Sequence, residues 1–254
     1  MSQFVKIENV IVPKPKGFDY DLIPGKIYDL SNYYNPRLEE NGDFNLPEKI
    51  YESNKDLRFK KLVLEHFKTT SQQTTGILLA GEKGTGKTIQ AKLIAKESGL
   101  PIINVSQEIQ RNALIDFFKN FDEPVCLIFD EFDKYFESED LLCLLDGVEK
   151  TTKMLVIFTC NDLNRISEYL KDRCSRIRYV RNFTNKDNAS TVPEIIDELQ
   201  LPNKEELINF CDTTIKYPTI DNIKAFLVEY KNLLKENENI TPTEVIEFLN
   251  ISTK

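Results

Sequence analysis

The sequence predicts an α/β fold, a parallel sheet with crossover helices, followed by a small helical region. Three observations predict it. Between residues 46 and 184, short apolar runs alternate with helical periodicities, the pattern of strands joined by helical crossovers. One run, Ile77-Leu78-Leu79-Ala80, leads directly into the glycine-rich octapeptide Gly81-Glu82-Lys83-Gly84-Thr85-Gly86-Lys87-Thr88, and a helical pattern from Ile89 to Ala95 follows. Residues 185–254 carry helical periodicity alone.

Taken in order, residues 1–45 read as a short N-terminal extension. It is irregular, with strand-like pieces at Phe4–Val12 and Lys26–Leu30 and a break at Pro13-Lys14-Pro15-Lys16. The core, residues 46–184, offers five strands: Ile77–Ala80, Ile102–Val105, Val125–Phe129, Met154–Thr159 and Arg176–Val180. Four of these are short apolar runs, as strands buried on both faces should be. Ligands gather at the carboxyl ends of such strands. The last region, residues 185–254, reads as helices at Pro193–Leu199, Lys204–Thr213, Ile220–Lys235 and Thr243–Leu249. In the third of them Ile223, Phe226, Leu227 and Tyr230 form one apolar stripe, which ordinary helix packing explains.

Composition narrows the class. The chain has 254 residues, 41% of them apolar and 29% charged, as expected of a soluble globular protein of one or two domains. Its apolar runs fall well short of the roughly 20 residues that span a bilayer. The start, Met-Ser-Gln-Phe-Val-Lys, has no signal-peptide character. A cytoplasmic location without a membrane partner is expected. Five cysteines (Cys126, Cys143, Cys160, Cys174 and Cys211) lack metal-ligand spacing, and Cys126 and Cys160 read as buried free thiols. The single histidine, His66, reads as a plain helix residue. A net charge of −8 argues against a broad nucleic-acid-coating surface, and the basic cluster Arg58-Phe59-Lys60-Lys61 reads as a solvated helix face.

The octapeptide at 81–88 fits the phosphate-binding pattern G-x-x-x-x-G-K-[ST]. Glycines let backbone N–H groups curl around a polyphosphate, and the helix that follows turns its positive end toward the anion. Lys87 can reach the β- and γ-phosphates, and the Thr88 hydroxyl can ligate Mg²⁺. The strand Val125–Phe129 ends in Asp130-Glu131. Asp130 is placed to hold Mg²⁺ through water, and Glu131 to polarise a water for attack on the γ-phosphate. The strand Met154–Thr159 ends in Cys160-Asn161, whose asparagine can hydrogen-bond water or phosphate or open an Asx turn. Arg173 and Arg176 share a helical face or a tight turn and can supply positive charge to a neighbour's phosphate, or be surface arginines before a strand.

Together these segments resemble the AAA+ ATPases from about Leu46 onward: Walker A at Gly81–Thr88, Walker B at Leu127–Glu131, sensor 1 at Asn161 and a finger region at Arg173 and Arg176. Leu144-Leu145-Asp146-Gly147 resembles a segment of the AAA clade, and Asp172-Arg173-Cys174 is similar to the Ser-Arg-Cys of clamp-loader subunits. The compact size is similar to small AAA+ proteins encoded by bacteriophages. The resemblance implies a P-loop NTPase fold with a five-stranded parallel sheet in the order 5-1-4-3-2 and a helical lid, with ATP and Mg²⁺ as cofactors. It implies a homo-oligomeric ring, commonly a hexamer, in which Arg173 ranks above Arg176 as the finger acting in trans. It also makes Ile50 and Tyr51 candidates for the adenine pocket, with helix packing as the alternative. Two departures stand out. The segment after Val105 has no aromatic-hydrophobic-Gly tip of the kind that grips polypeptide, Phe117 and Phe118 reading as helix core. Ile220 stands where a sensor 2 arginine aligns, with Lys224 the nearest substitute.

The leading expectation is therefore an ATP-hydrolysing, oligomeric AAA+ protein that remodels a protein or a DNA-replication or recombination assembly. The alternatives are a nucleotide-gated scaffold with little turnover and a clamp- or helicase-loader-like subunit acting on DNA.

Overall fold

The computed structural model describes residues 4–7, 9–13, 21–71, 74–119, 121, 123–136, 145, 152–166 and 174–254. Nine strands occur among them: β1 (Phe4–Ile7), β2 (Val10–Pro13), β3 (Ile27–Ser31), β4 (Arg37–Asn41), β5 (Thr74–Gly81), β6 (Ile102–Val105), β7 (Val125–Phe129), β8 (Met154–Cys160) and β9 (Ile177–Phe183). They form one sheet in the order β1-β2-β4-β3-β6-β7-β8-β5-β9.

The sheet is mixed. β3, β6, β7, β8 and β5 pair in parallel, whereas β1–β2, β2–β4 and β3–β4 are antiparallel. A sheet of five parallel strands is thus corrected to nine strands of both senses. The five strands read from the sequence are contiguous in it, as β6-β7-β8-β5-β9.

The N-terminal strands extend this sheet beyond the predicted core. β3 lies parallel to β6, with Ile27 opposite Ile102 and Asp29 opposite Asn104. Burial gives the reason. Ile11, Tyr28, Leu30 and Leu38 enter the same apolar cluster as Leu127, Val156 and Phe158. Burying side chains of this size stabilises the fold by about 1.5–3 kcal/mol each.

Two compact units divide the chain. The first comprises Met1–Glu48, Arg58–Gly81 and Lys87–Asn182, and the second Lys49–Leu57, Glu82–Gly86 and Phe183–Lys254. The first unit holds the sheet together with α2 (Lys87–Ser98), α3 (Arg111–Lys119), α4 (Phe132–Tyr135) and most of α1 (Asn54–Thr69). Phe117 and Phe118 of α3 are core residues, as the sequence predicts, and Cys126 and Cys160 are buried free thiols. His66 packs edge-on against Tyr179. Lys60 is buried and paired with Glu97 at 2.6 Å, so the basic cluster at 58–61 is partly consumed by structure rather than displayed.

The second unit has its own core. Its helices are α5 (Asn185–Ala189), α6 (Val192–Leu199), α7 (Lys204–Thr213), α8 (Ile220–Glu236) and α9 (Pro242–Glu247). Leu207, Ile223, Phe226, Leu227 and Val245 are fully buried there, so the stripe on α8 is packing. Thr219 caps α8, its hydroxyl accepting from the Asn222 N–H at 3.1 Å. Thr241 and Glu244 form a reciprocal capping box at α9. None of the helices among the described residues is long and apolar enough to cross a membrane.

Candidate functional site

Three neighbouring strands of the first unit end in the residues the sequence singles out. Gly81 closes β5, Asp130 follows β7 and Asn161 follows β8, and these strands lie side by side as β7-β8-β5. Because they are parallel, their carboxyl ends open at one edge.

The chain leaves β5 through a turn that only glycines make easily. Gly81, Gly84 and Gly86 take φ values of +139°, +74° and +96°. At Gly84 an added methyl would also stand 2.6 Å from Thr219 Cγ2. Thr85 is buried, its hydroxyl donating to the Glu82 carbonyl at 2.7 Å, whereas the Glu82 and Lys83 side chains are exposed. Those two residues can serve an anion through their backbone N–H groups.

Lys87 opens α2. Its side chain is buried, and Nζ donates to the Gly81 carbonyl at 2.7 Å. Burial pulls the ammonium below its ordinary pKa. Cys160 and the Asp130, Asp133 and Glu131 carboxylates oppose this without cancelling it. A phosphate beside Lys87 would supply the counter-charge that favours its cationic form.

Thr88 Oγ1 donates to Asp130 Oδ1 at 2.9 Å. The hydroxyl proton is thereby directed to the acid, and the oxygen's lone pairs are free for a cation. This donor set is small, hard and oxygen-only, and it fits Mg²⁺, which takes one or two protein ligands and completes its shell with water and phosphate. Among the described residues no cluster of three or more His, Cys, Asp or Glu side chains forms a ready-made metal cage.

Glu131 caps α4 in the left-handed region (φ 48°, ψ 44°). For a residue with a side chain this conformation costs about 1–2 kcal/mol. Its carboxylate receives the Asn161 Nδ2 at 3.2 Å and pairs with Lys134, whose pKa rises in consequence. Glu131 and Asn161 are therefore brought together, and a water held by the pair would face the Glu131 carboxylate.

Three residues escape the sequence reading. Thr159 Oγ1 donates to Asp130 Oδ1 at 2.6 Å and accepts the Glu131 N–H at 2.7 Å. Asp133 accepts the Asn161 N–H at 3.4 Å through Oδ2, while its buried Oδ1 has no hydrogen-bond partner among the described residues. Lys134 is the third. One signal was available: Thr159 is a hydroxyl in an otherwise apolar strand.

Other candidates fare differently. Arg173 lies outside the described residues, as do Leu144, Asp146 and Gly147. Arg176 is 7% exposed, and its carbonyl lies against Gly76. Its side chain is thus largely enclosed in its own unit. Tyr51 belongs to the core of the helical unit. Its hydroxyl donates to Glu198, and the Lys49 and Lys224 ammonium groups stand 5.0 and 5.3 Å from its ring centre. Burial, together with Glu198, drives its phenol pKa upward. Tyr51 is 7% exposed, and Ile50 beside it is half-buried. Lys224, the nearest substitute for a sensor 2 arginine, is engaged with Tyr51.

Residues 77–182 match the ATPase family associated with various cellular activities (AAA). Chromosome transmission fidelity protein 18 of Saccharomyces cerevisiae is 29% identical over 188 residues, covering 69% of this chain and 24% of that protein. Peroxisomal ATPase PEX6 of Dictyostelium discoideum is 31% identical over 158 residues, covering 50% of this chain and 13% of that protein. The chain thus spans about a quarter or less of the length of these two relatives. The Thermotoga maritima RuvB Holliday junction branch migration motor aligns with a TM-score of 0.56 at 18% identity, over 78% of this chain and 70% of that one, a likeness of fold. The family match begins within β5 and ends within β9, the stretch that carries Lys87, Asp130, Glu131 and Asn161, and over these residues the chain matches the AAA ATPases.

Proposed function

We propose that this protein hydrolyses ATP to ADP and phosphate and works in a homo-oligomeric ring, of the hexameric kind, to remodel a partner assembly. The observation that carries the reading is the convergence of Thr88 with Asp130, and of Glu131 with Asn161, at the ends of three adjacent strands. In this mechanism the backbone of residues 81–86 cradles the phosphates and Lys87 fixes the β- and γ-groups. Thr88 and, through water, Asp130 would hold Mg²⁺, which would supply neutralisation of the phosphate charge. Glu131 takes the proton of the attacking water, with Asn161 holding its carboxylate in place. Arg173 of a neighbouring copy would stabilise the charge that develops on the transferred phosphoryl group.

One of the relatives bears a name that concerns chromosomes, which supports including DNA in the test. A nucleotide-gated scaffold with little turnover is the second reading. It is favoured by Ile220 at the start of α8, where an arginine would tie that helix to the γ-phosphate. It is disfavoured by the Glu131–Asn161 pair, which a switch without hydrolysis does not need.

The deciding experiment follows phosphate release from Mg²⁺–ATP, with and without DNA, for the natural chain and for Glu131→Gln. The natural chain should turn over, and Glu131→Gln should bind ATP with a rate lower by about 100-fold or more. Absence of turnover in the natural chain at every protein concentration, with DNA and without, would establish the scaffold reading instead.

A further inference from the structure

Strand β8 reads Met154-Leu155-Val156-Ile157-Phe158-Thr159-Cys160, and all seven residues are buried. A hydroxyl in such a strand is costly unless it is paired. Thr159 is 0% exposed, and its two partners are both site residues, Asp130 Oδ1 at 2.6 Å and the Glu131 N–H at 2.7 Å. The direction of the bonds is fixed by chemistry. The backbone N–H can only donate, so Thr159 accepts from Glu131 and its own O–H donates to the Asp130 carboxylate. The same Asp130 oxygen receives the Thr88 hydroxyl at 2.9 Å. One carboxylate oxygen thus gathers the end of the phosphate-binding turn, the middle of the sheet and, through Thr159, the backbone of Glu131.

We propose that Thr159 is a positioning residue for hydrolysis, coupling the Mg²⁺-holding acid Asp130 to the backbone that aims Glu131. The proposal rests on the roles given above to Asp130 and Glu131. Glu131 is where such a tie matters most, because its backbone sits in the left-handed region and relaxes if released. Without the Thr159 hydroxyl the Glu131 N–H loses its acceptor and Asp130 loses one of two donors. The Glu131 backbone would then shift, and with it the carboxylate that Asn161 and Lys134 hold, away from the line of attack. The P-loop glycines and Lys87 do not depend on Thr159, so nucleotide binding should persist.

The test compares Thr159→Val, which keeps the shape and removes the hydroxyl, with Thr159→Ser, which keeps the hydroxyl. Steady-state kcat and KM are measured on the full chain. Binding of a fluorescent ATP analogue is titrated in EDTA and then against Mg²⁺. For Thr159→Val, kcat should fall about 10–100-fold and half-saturation by Mg²⁺ should rise several-fold, the scale of losing a residue that orients a metal ligand. Affinity for the analogue in EDTA should stay within about twofold, because only phosphate-binding groups act there. Thr159→Ser should recover most of kcat and of the Mg²⁺ response. Natural kcat and Mg²⁺ dependence in Thr159→Val, or equal impairment of the Val and Ser variants, would overturn the coupling. If Thr159→Val fails to fold, Thr159→Ala replaces it, smaller and also without a hydroxyl; an unchanged kcat and Mg²⁺ response there is equally fatal. Should the natural chain show no turnover, the function proposed above fails while the Mg²⁺ titration still decides the role of Thr159. A shift in Thr159→Val upholds the coupling to Asp130, and no shift refutes it.

Discussion

Lys87 is a cation that the fold has partly withdrawn from water. Burial lowers its pKa, and its contact with the Gly81 carbonyl is a modest substitute for hydration. Such a group binds an anion well because much of its desolvation has already been met by folding. Removing it as Lys87→Ala should weaken ATP binding by at least about tenfold, the value of one or two charge-assisted hydrogen bonds. Equilibrium binding of a fluorescent ATP analogue measures this, and an unchanged affinity would remove Lys87 from the site. The pH dependence has a definite sign. The protonated form is the binding form, and its pKa lies below the ordinary 10.5, so affinity should decline as pH climbs toward that value from below. Lys87→Arg, whose cation does not titrate in this range, should keep whatever affinity it has across the same interval.

Elements are where the sheet economises on space, and Gly76 of β5 is the clearest case. A methyl there would lie 2.0 Å from the Arg176 carbonyl oxygen and 3.3 Å from Ile177 Cα, so the strand and the entry to β9 touch through a glycine. Both obstructing groups are backbone, which yields less readily than a side chain. Gly76→Ala should therefore destabilise the fold by about 1–3 kcal/mol, the usual cost of overpacking. A thermal melt should show this as a drop of several degrees, and an unchanged melting point would mean that β9 can shift freely. The same contact explains what was legible in the sequence and what was not. The phosphate-binding turn was readable because its chemistry lies in eight consecutive residues, and the core strands because they are uninterrupted apolar runs. The joining of β3 to β6 was not, because their pairing unites residues some 75 positions apart, Ile27 with Ile102. Burial of Arg176 and of Tyr51 was hidden for the same reason: solvent access belongs to the fold, and a two- or three-residue motif does not carry it. Thr159 stood between the cases, visible as an odd hydroxyl but without a partner until β7 lay beside β8.

At the scale of the whole molecule, the question is whether one chain holds everything that hydrolysis needs. Lys87, Thr88, Asp130, Glu131 and Asn161 come from one chain, and of the two candidate finger arginines Arg176 is 7% exposed within it. If Arg173 of another copy provides the second cation that phosphoryl transfer uses, each competent site is made by two chains in a head-to-tail contact. Two consequences separate this arrangement from a self-sufficient monomer. Specific ATPase activity should rise with protein concentration until rings are full, whereas a monomer's would stay flat. Complementation is the stricter test. Arg173→Ala keeps Glu131 and lacks the finger; Glu131→Gln keeps the finger and lacks the base. Each alone should be nearly inactive. In an equal mixture, random assembly places a Glu131 chain next to an Arg173 chain at about one contact in four, so activity should recover to at most about a quarter of the natural level. Recovery should peak near equal proportions and vanish if the two variants are kept from exchanging. No recovery at any ratio, with mixed rings demonstrated by a tagged subunit, would place the whole catalytic apparatus within a single chain.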